Sequence, residues 1–214
     1  MKKFCQGVFT GERALYDTHD AYIEDSTFMD GESPLKESSD IELSHCIFKW
    51  KYPLWYCTNV KVGNTTFLEE ARSGIWYTKN IAIRNSCILA PKTFRYAENV
   101  VLENVQIPHA QETLWNSKGI KMTEVKIKGD YLGFHAEDVD IDHLYLDGNY
   151  AFDSAKNITI RNSTLFTKDA FWNAENVTII NSTIIGEYFS WNSKNVTLIN
   201  CTVESHQGFC YMDS

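Results

Sequence analysis

Apolar and polar residues alternate along short segments that recur through the whole chain. The pattern is clearest in residues 176–184, NVTIINSTI, and it returns in residues 157–165 and 195–203. Fainter copies begin at residues 20, 40, 59, 80, 99, 119 and 138, so ten copies start 19 to 21 residues apart. Alternation with β-branched residues predicts short, half-buried strands, and an interval of this length is typical of a solenoid.

One repeat has room for two or three short strands and their turns, but not for a helix of about ten residues. Each strand can then pair only with its equivalent one repeat later, which predicts an all-β fold: a single-stranded parallel β-helix of about ten coils of 19–21 residues. Like residues recur at the ninth position, which holds Phe28, Phe48, Phe67, Ile88, Ile107, Ile127, Leu146, Leu165, Ile184 and Val203. Six copies have Asn at the sixth position, which predicts an amide ladder at a turn.

Charges set the register of the coils independently. The residue before each start alternates in sign through Lys79, Glu98, Lys118, Glu137, Lys156, Glu175 and Lys194. Opposite charges one rung apart attract, so this order predicts that these side chains form one outward column. The same register pairs Arg84 with Glu103 and Asp142 with Arg161.

The two ends of the chain differ from the repeats. Residues 1–19 fall outside the pattern and are apolar enough to form an N-terminal cap. Residues 20–214 are expected to form a single β-helix domain. No cap is visible at the C-terminal end, so either two molecules meet there as a homodimer or the natural chain is longer.

Composition narrows the classes of function. The net charge is −8, with 20 Lys and Arg, which argues against nucleic acid and against anionic membranes as partners. No signal peptide is evident, and no apolar run approaches the roughly 18 residues that cross a bilayer. The six cysteines have no zinc-like spacing, and most of them occupy positions where other copies have small residues. They predict a reducing compartment, and we therefore expect a cytoplasmic protein.

Two segments carry a family resemblance: residues 11–15, GERAL, and residues 31–37, GESPLKE. With the repeat, they resemble the pectate-lyase-like right-handed β-helix superfamily and, within it, an uncharacterised bacterial family of solenoids. The resemblance covers essentially the whole chain. It implies a right-handed β-helix with three short sheets, and it implies no activity. The clustered aspartates of polygalacturonases and the calcium-binding carboxylates and arginine base of pectate lyases are not found at matching positions.

Aromatic residues concentrate at the fourth residue before each repeat start, which we call the aromatic column. It comprises Lys36, Trp55, Trp76, Arg95, Trp115, Phe134, Asp153, Trp172, Trp191 and Cys210. The residue before each member is mostly apolar and takes the core direction, so alternation turns the aromatic column outward. The following position holds Tyr56, Tyr77, Tyr96, Asn116, His135, Ser154, Asn173 and Asn192.

An outward row of indoles with amide and hydroxyl neighbours predicts an oligosaccharide site. The predicted sugar-binding residues are Trp55, Trp76, Tyr77, Tyr96, Trp115, Asn116, Phe134, Trp172 and Asn173. If there is catalysis, by a lyase, hydrolase or epimerase, its candidate residues are Arg95, His135 and Asp153. Whether the protein is an enzyme stays open at this point.

Other interpretations fit the same residues. The aromatic column could be a stacked ladder that stabilises the solenoid, with Arg95 as a cation–π filler between Trp76 and Trp115. The protein could then be a non-catalytic scaffold that binds another protein or forms a homodimer through this column. The acidic run from Glu137 to Asp142 faces basic residues one rung away, so paired charges explain it better than a metal. No metal and no cofactor are expected.

Overall fold

A computed structural model describes residues 1–213, which form short strands joined by turns, bends and irregular segments. The strands are β1 (Lys2–Cys5), β2 (Val8–Phe9), β3 (His19–Glu24), β4 (Thr27–Phe28), β5 (Ser39–Ser44), β6 (Ile47–Phe48), β7 (Thr58–Gly63), β8 (Thr66–Phe67), β9 (Ile75–Trp76), β10 (Lys79–Ile88), β11 (Phe94–Arg95), β12 (Glu98–Ile107), β13 (Lys118–Lys128), β14 (Glu137–Asp147), β15 (Lys156–Arg161), β16 (Thr164–Phe166), β17 (Asp169–Ala170), β18 (Glu175–Ile180), β19 (Thr183–Ile185), β20 (Tyr188–Phe189), β21 (Lys194–Ile199), β22 (Thr202–Glu204) and β23 (Gln207–Gly208). Within this part of the chain no helix could cross a membrane.

Every strand pairing is parallel and joins a strand to its equivalent in the next coil. Eleven strands stack in the first position of the coil, from β1 through β3, β5, β7, β10, β12, β13, β14, β15 and β18 to β21. They join seven others in one sheet, because β10, β12, β13 and β14 continue around a corner of the coil. There are two further, small sheets, one of β9 and β11 and the other of β17, β20 and β23, so the solenoid has three sheets in all. The predicted all-β parallel solenoid is confirmed.

The charge column has the predicted register. Lys118 lies between Glu98 and Glu137 on the neighbouring strands, and the alternation continues in both directions. Lys118 Nζ is 3.3 Å from Glu137 Oε2. Arg84 pairs with Glu103 as expected. The other expected pair is wrong: Arg161 is in register with Asp142 but bonds Asp140, because its long side chain reaches the diagonal neighbour.

The core is a set of columns that run along the solenoid. Ninth-position residues from Phe28 to Ile184 are almost completely buried. Phe28 and Phe48 stack with ring centroids 4.4 Å apart and planes 4° apart, and Phe67 continues the stack. Stacking of similar apolar side chains at every rung lets each short strand bury its inner face against the strands of the neighbouring coils.

Residues 1–19 wind as a further coil, which corrects the prediction that they fall outside the repeat. Phe4 lies opposite Ile23, and Phe9 lies opposite Phe28 with ring centroids 5.0 Å apart. The pattern was hidden because Met1 stands where later coils have Asn, Asp or Gly. As the terminal coil, this segment covers the core residues of the second one.

Left-handed backbone conformations recur at fixed positions of each coil, among them its first and sixth residues. From Asp20 onward, the first residue of each repeat has φ between 51° and 68°. Asn and Asp tolerate this region and can bond one another between coils. Asn80 Nδ2 donates to Asn59 Oδ1 at 2.9 Å, and equivalent bonds recur on both sides of Gly119, which interrupts the ladder. The predicted ladder at the sixth position also forms, for example from Asn104 to Asn85.

Candidate functional site

The aromatic column is continuous along the solenoid. Arg95 is paired with Trp76 on one side and bridged to Trp115 on the other. The backbone ladder carries the same register onward to Phe134, Asp153, Trp172, Trp191 and Cys210. These side chains point away from the core, yet most are only half exposed, because they lie against one another and against adjacent turns.

In its first half the aromatic column is a closed stack. Trp55 and Trp76 lie nearly parallel, with centroids 5.4 Å apart and planes 9° apart. The Arg95 guanidinium carbon lies 4.7 Å from the ring centroids of both Trp76 and Trp115. The expected cation–π filler is confirmed, and it occupies the ring faces that a sugar would need.

The neighbouring tyrosines form a second stack of the same kind. Tyr77 lies 4.8 Å from Tyr56 and 5.2 Å from Tyr96, with planes within 8° of parallel. Tyr77 is covered on both faces, so its edge and hydroxyl group are what solvent meets, and Tyr96 is covered on the face towards Tyr77. Tyr77 can therefore offer a ligand hydrogen bonds, but not a free platform.

One tryptophan of the aromatic column differs from the others in the hydrogen bonding of its indole N–H group. Four members donate to a backbone carbonyl 16 to 18 residues ahead: Trp55 to Ser73, Trp76 to Lys92, Trp115 to Tyr131 and Trp191 to Gln207. These bonds fasten each indole to the next coil. Among residues 1–213, the Trp172 indole finds no such acceptor, and its side chain is 39% exposed. Trp172 is thus the column tryptophan with both a free edge and open surface.

The three candidate catalytic residues do not meet at one point. Arg95 is 21% exposed and forms an ion pair with Glu112 at 3.2 Å. Asp153 lies three rungs away, roughly 14 Å at the usual strand spacing. His135 is one rung from Asp153, and its exposed ring contacts Phe134 at a centroid distance of 4.2 Å. A single reaction centre containing Arg95 and Asp153 is not formed.

A polar row accompanies the second half of the aromatic column. Asn192 Nδ2 donates to Asn173 Oδ1 at 2.8 Å, and Asn173 Nδ2 donates to Asp153 Oδ1 at 3.3 Å. Ser154 Oγ also donates to Asp153 Oδ1, at 2.7 Å. Of the predicted polar residues, Asn173 therefore lies beside Trp172, whereas Asn116 lies three rungs away beside Trp115.

Three aromatic rings make a corner around Trp172. Trp172 and Trp191 meet edge to face, with centroids 6.2 Å apart and planes 69° apart. Tyr188 meets Trp191 in the same way, at 5.4 Å and 76°. Perpendicular rings leave faces open that parallel rings would cover.

A buried carboxyl group lies behind this corner and was not singled out from the sequence. Asp169 is 7% exposed, is in register with Tyr188, and lines a narrow slot with Ser190 and the three rings. Burial raises the pKa of the Asp169 carboxyl; Lys168 lowers this pKa, and Glu187 and Asp153 raise it further. The same repeat counting aligns Asp169, Tyr188 and Gln207 three residues before the aromatic column, so the signal was available.

A broader groove of about 650 Å³ lies at the turn preceding the aromatic column. Its lining combines the apolar residues Leu89, Pro91 and Pro108 with charged residues. Four of the charged residues form two ion pairs, Arg72 with Glu70 at 3.8 Å and Lys128 with Asp147 at 3.0 Å. The groove is larger than the Trp172 corner, but its open, partly paired surface points to no particular ligand.

Paired charges account for the acidic run, as the sequence suggested. Lys118 Nζ lies 3.4 Å from Asp138 Oδ2 as well as near Glu137. Asn162 Nδ2 donates to Asp142 Oδ1 at 2.8 Å, and this bond lowers the pKa of the Asp142 carboxyl. Throughout residues 1–213 no group of three or more His, Cys, Asp or Glu side chains is arranged to hold a metal ion.

Solved structures with similar folds are distant in sequence. PfbA, a surface adhesin of Streptococcus pneumoniae, is 12% identical with a TM-score of 0.51, over 99% of this chain and 75% of that one. This similarity supports the fold alone. The catalytic domain of a GH87 α-1,3-glucanase in complex with nigerose is 12% identical with a TM-score of 0.43, over 93% of this chain and 56% of that one. That score is too low to carry an inference.

No curated protein matches the chain. A family model does, and its match runs from residue 2 to residue 214, across all eleven coils. The chain therefore belongs to the family described as protein of unknown function (DUF3737).

Proposed function

We propose that this solenoid binds an oligosaccharide at the second half of the aromatic column, centred on Trp172. The observation that carries the proposal is the difference between Trp172 and the four tryptophans fastened to a carbonyl of the next coil. An indole with an exposed face and an unpaired N–H can stack on a pyranose ring and donate to one of its hydroxyl groups.

Polar atoms beside Trp172 suit the same ligand. Asp153 Oδ2 and Asn192 Oδ1 accept no hydrogen bond from residues 1–213. They stand at opposite ends of the row through Asn173, two rungs apart, which is about 10 Å at the usual strand spacing. Acceptors at this separation can bond hydroxyl groups on different units of one oligosaccharide.

Binding, and not catalysis, is the function that this geometry supports best. The candidate catalytic residues are spread over three rungs, and Arg95 is held between two indoles. The proposal includes two further expectations: a cytoplasmic location, supported by six free thiols, and a relationship with pectate-lyase-like β-helices, supported by the parallel three-sheet coil.

Calorimetric titration with neutral β-linked and α-linked glucose tetramers tests the proposal. We expect at least one tetramer to bind wild-type protein, and Trp172→Ala to weaken that binding at least tenfold. Trp50→Ala is the matched control, because Trp50 is half buried and lies outside the aromatic column. If no tetramer binds, or if both variants bind as wild type does, the proposal fails.

Self-association through the same face is the rival function. Light scattering coupled to chromatography distinguishes the two, because a ligand site predicts the same mass for wild type and Trp172→Ala. A wild-type dimer that Trp172→Ala converts to a monomer would instead support a homodimer interface.

A further inference from the structure

The slot behind the Trp172 corner contains polar groups that the fold leaves without partners. The Ser190 Oγ atom lines the slot, is buried and makes no hydrogen bond. Asp169, which is 7% exposed, also lines the slot, and its carboxyl group makes no hydrogen bond or ion pair within residues 1–213. Two such groups in one slot are unusual, because buried polar atoms in folded proteins nearly always have partners.

An ordered water molecule does not resolve this situation. The slot bounded by Asp169, Ser190, Trp172, Tyr188 and Trp191 leaves no space for a water molecule between the side chains. Tyr188 is half exposed, so rotation of its side chain is the simplest way to open the slot. The opening would still be too narrow for a sugar ring and would admit only a small substituent.

The chemistry of the walls selects the charge of that substituent. A carboxylate attracts a cation, and so does the electron-rich face of an aromatic ring, a residue type that lines this slot at several positions. Lys168, the nearest basic residue, is already paired with Glu187 at 3.3 Å, so it does not neutralise Asp169 directly. A metal ion would require several oxygen ligands, whereas aromatic faces suit an organic ammonium group.

We infer that the slot recognises a protonated primary amine, and that the ligand of the Trp172 corner is an amino sugar with a free amino group. This inference rests on the proposed oligosaccharide site and adds its substrate class. The pyranose ring stacks on Trp172, while its ammonium group enters between Tyr188 and Trp191 and bonds Asp169. N-acetylation removes the charge and enlarges the group, so an acetylated sugar loses this contact.

The test compares three β-1,4-linked tetramers by calorimetry at pH 6.5: glucosamine, N-acetylglucosamine and glucose. We expect the glucosamine tetramer to bind wild type at least tenfold more tightly than the other two. Asp169→Asn should abolish this preference and leave the binding of the glucose tetramer unchanged. Glu42→Gln, which removes an exposed charge on a distant coil, should keep the preference.

Each contrary outcome has a separate meaning. Equal binding of all three tetramers, lost in Trp172→Ala, overturns the amine slot and leaves the oligosaccharide site intact. A preference for glucosamine that persists in Asp169→Asn also overturns the slot, because general attraction to a protein of net charge −8 would explain it. Absence of binding by all three tetramers and by the α-linked glucose tetramer overturns both inferences.

Discussion

Trp172 and Trp191 meet edge to face, although they are consecutive members of a column whose earlier tryptophans, Trp55 and Trp76, lie parallel. The difference in ring orientation depends on the non-aromatic residue that interrupts each half of the aromatic column. Arg95 has a planar guanidinium that continues a stack of flat rings. Asp153, one rung below Trp172, has no such surface, so the rings above it turn and leave the corner open.

The two halves should differ in their contribution to stability. We expect Trp76→Ala to lower the free energy of unfolding by about 2–4 kcal/mol, because it removes a stacked, hydrogen-bonded indole. Trp172→Ala should cost only about 1 kcal/mol or less, because that indole is exposed and makes no hydrogen bond. Urea unfolding followed by circular dichroism measures both. Equal losses would show that the two tryptophans have the same structural role.

Arg95 should act as part of the stack. Arg95→Lys keeps the charge but loses the planar group, and we expect a loss of about 1–2 kcal/mol in the free energy of unfolding. Indole fluorescence should change as Trp76 and Trp115 lose their common neighbour. Arg84→Lys is the control, because its ion pair with Glu103 is exposed and should tolerate the change within about 0.5 kcal/mol. A stable, spectroscopically unchanged Arg95→Lys would contradict the sandwich.

Repetition explains why so much of the fold followed from the sequence. Each coil meets only its neighbours, so one interval between residues sets the strand pairing, the phenylalanine stack and the charge column together. The interval also assigned Trp172 to the aromatic column and Asn173 to the column beside it. It could not predict how the aromatic rings are oriented, because their orientation depends on side-chain torsions and on whether Arg95 or Asp153 lies one rung away.

Other features of the structure were not predicted from the sequence, and each has a specific reason. The first coil lacks the corner Asn or Asp that marks later repeats, so residues 1–19 were not recognised as a copy of the repeat. Arg161 forms its ion pair with Asp140 and not with Asp142, because a long side chain can reach a diagonal neighbour. The strand register alone does not determine which of the two aspartates it contacts. Asp169 was overlooked because Tyr188 and Gln207, its column neighbours, share neither its charge nor its burial.

Gly119 offers a position for stabilisation. It interrupts an Asn/Asp ladder at a corner with φ of 68°, between Asn99 and Asp138. Gly119→Asn should raise the free energy of unfolding by about 0.5–1 kcal/mol, because Asn accepts this conformation and can bond both neighbours. Its Cβ would approach Asn99 Oδ1 to 2.7 Å, so that amide must rotate slightly.

The matched variant is Gly119→Ala, which has the same Cβ and no amide. Gly119→Ala should be less stable than Gly119→Asn, because Ala has to adopt the same left-handed conformation but cannot form side-chain hydrogen bonds with Asn99 and Asp138. Thermal unfolding of both variants measures the difference. If the two variants have the same stability, the ladder contributes nothing at this corner.

The buried carboxyl of Asp169 should make stability depend on pH with a predictable sign. Its pKa in the folded protein is raised, chiefly by burial, so the folded state binds this proton more tightly than the unfolded state does. The protonated group is tolerated below the ordinary pKa of an aspartate, and ionisation destabilises the fold as pH rises through the raised value. Glu187 and Asp153 act in the same direction, whereas Lys168 opposes them.

Asp169→Asn removes this ionisation while keeping the shape of the side chain. We expect it to stabilise the protein at pH 8 by roughly 1–3 kcal/mol, the usual cost of a buried polar group without a partner. The gain should shrink as the pH is lowered through the raised pKa, and it should be lost below about 4, the ordinary range of an aspartate, where wild-type Asp169 is neutral in both states. Asp147→Asn, which breaks the ion pair with Lys128, should instead show no gain at any pH. Thermal unfolding at pH 3.5, 6 and 8 measures the difference, and a gain for Asp169→Asn that is independent of pH would show that burial of charge is not its cause.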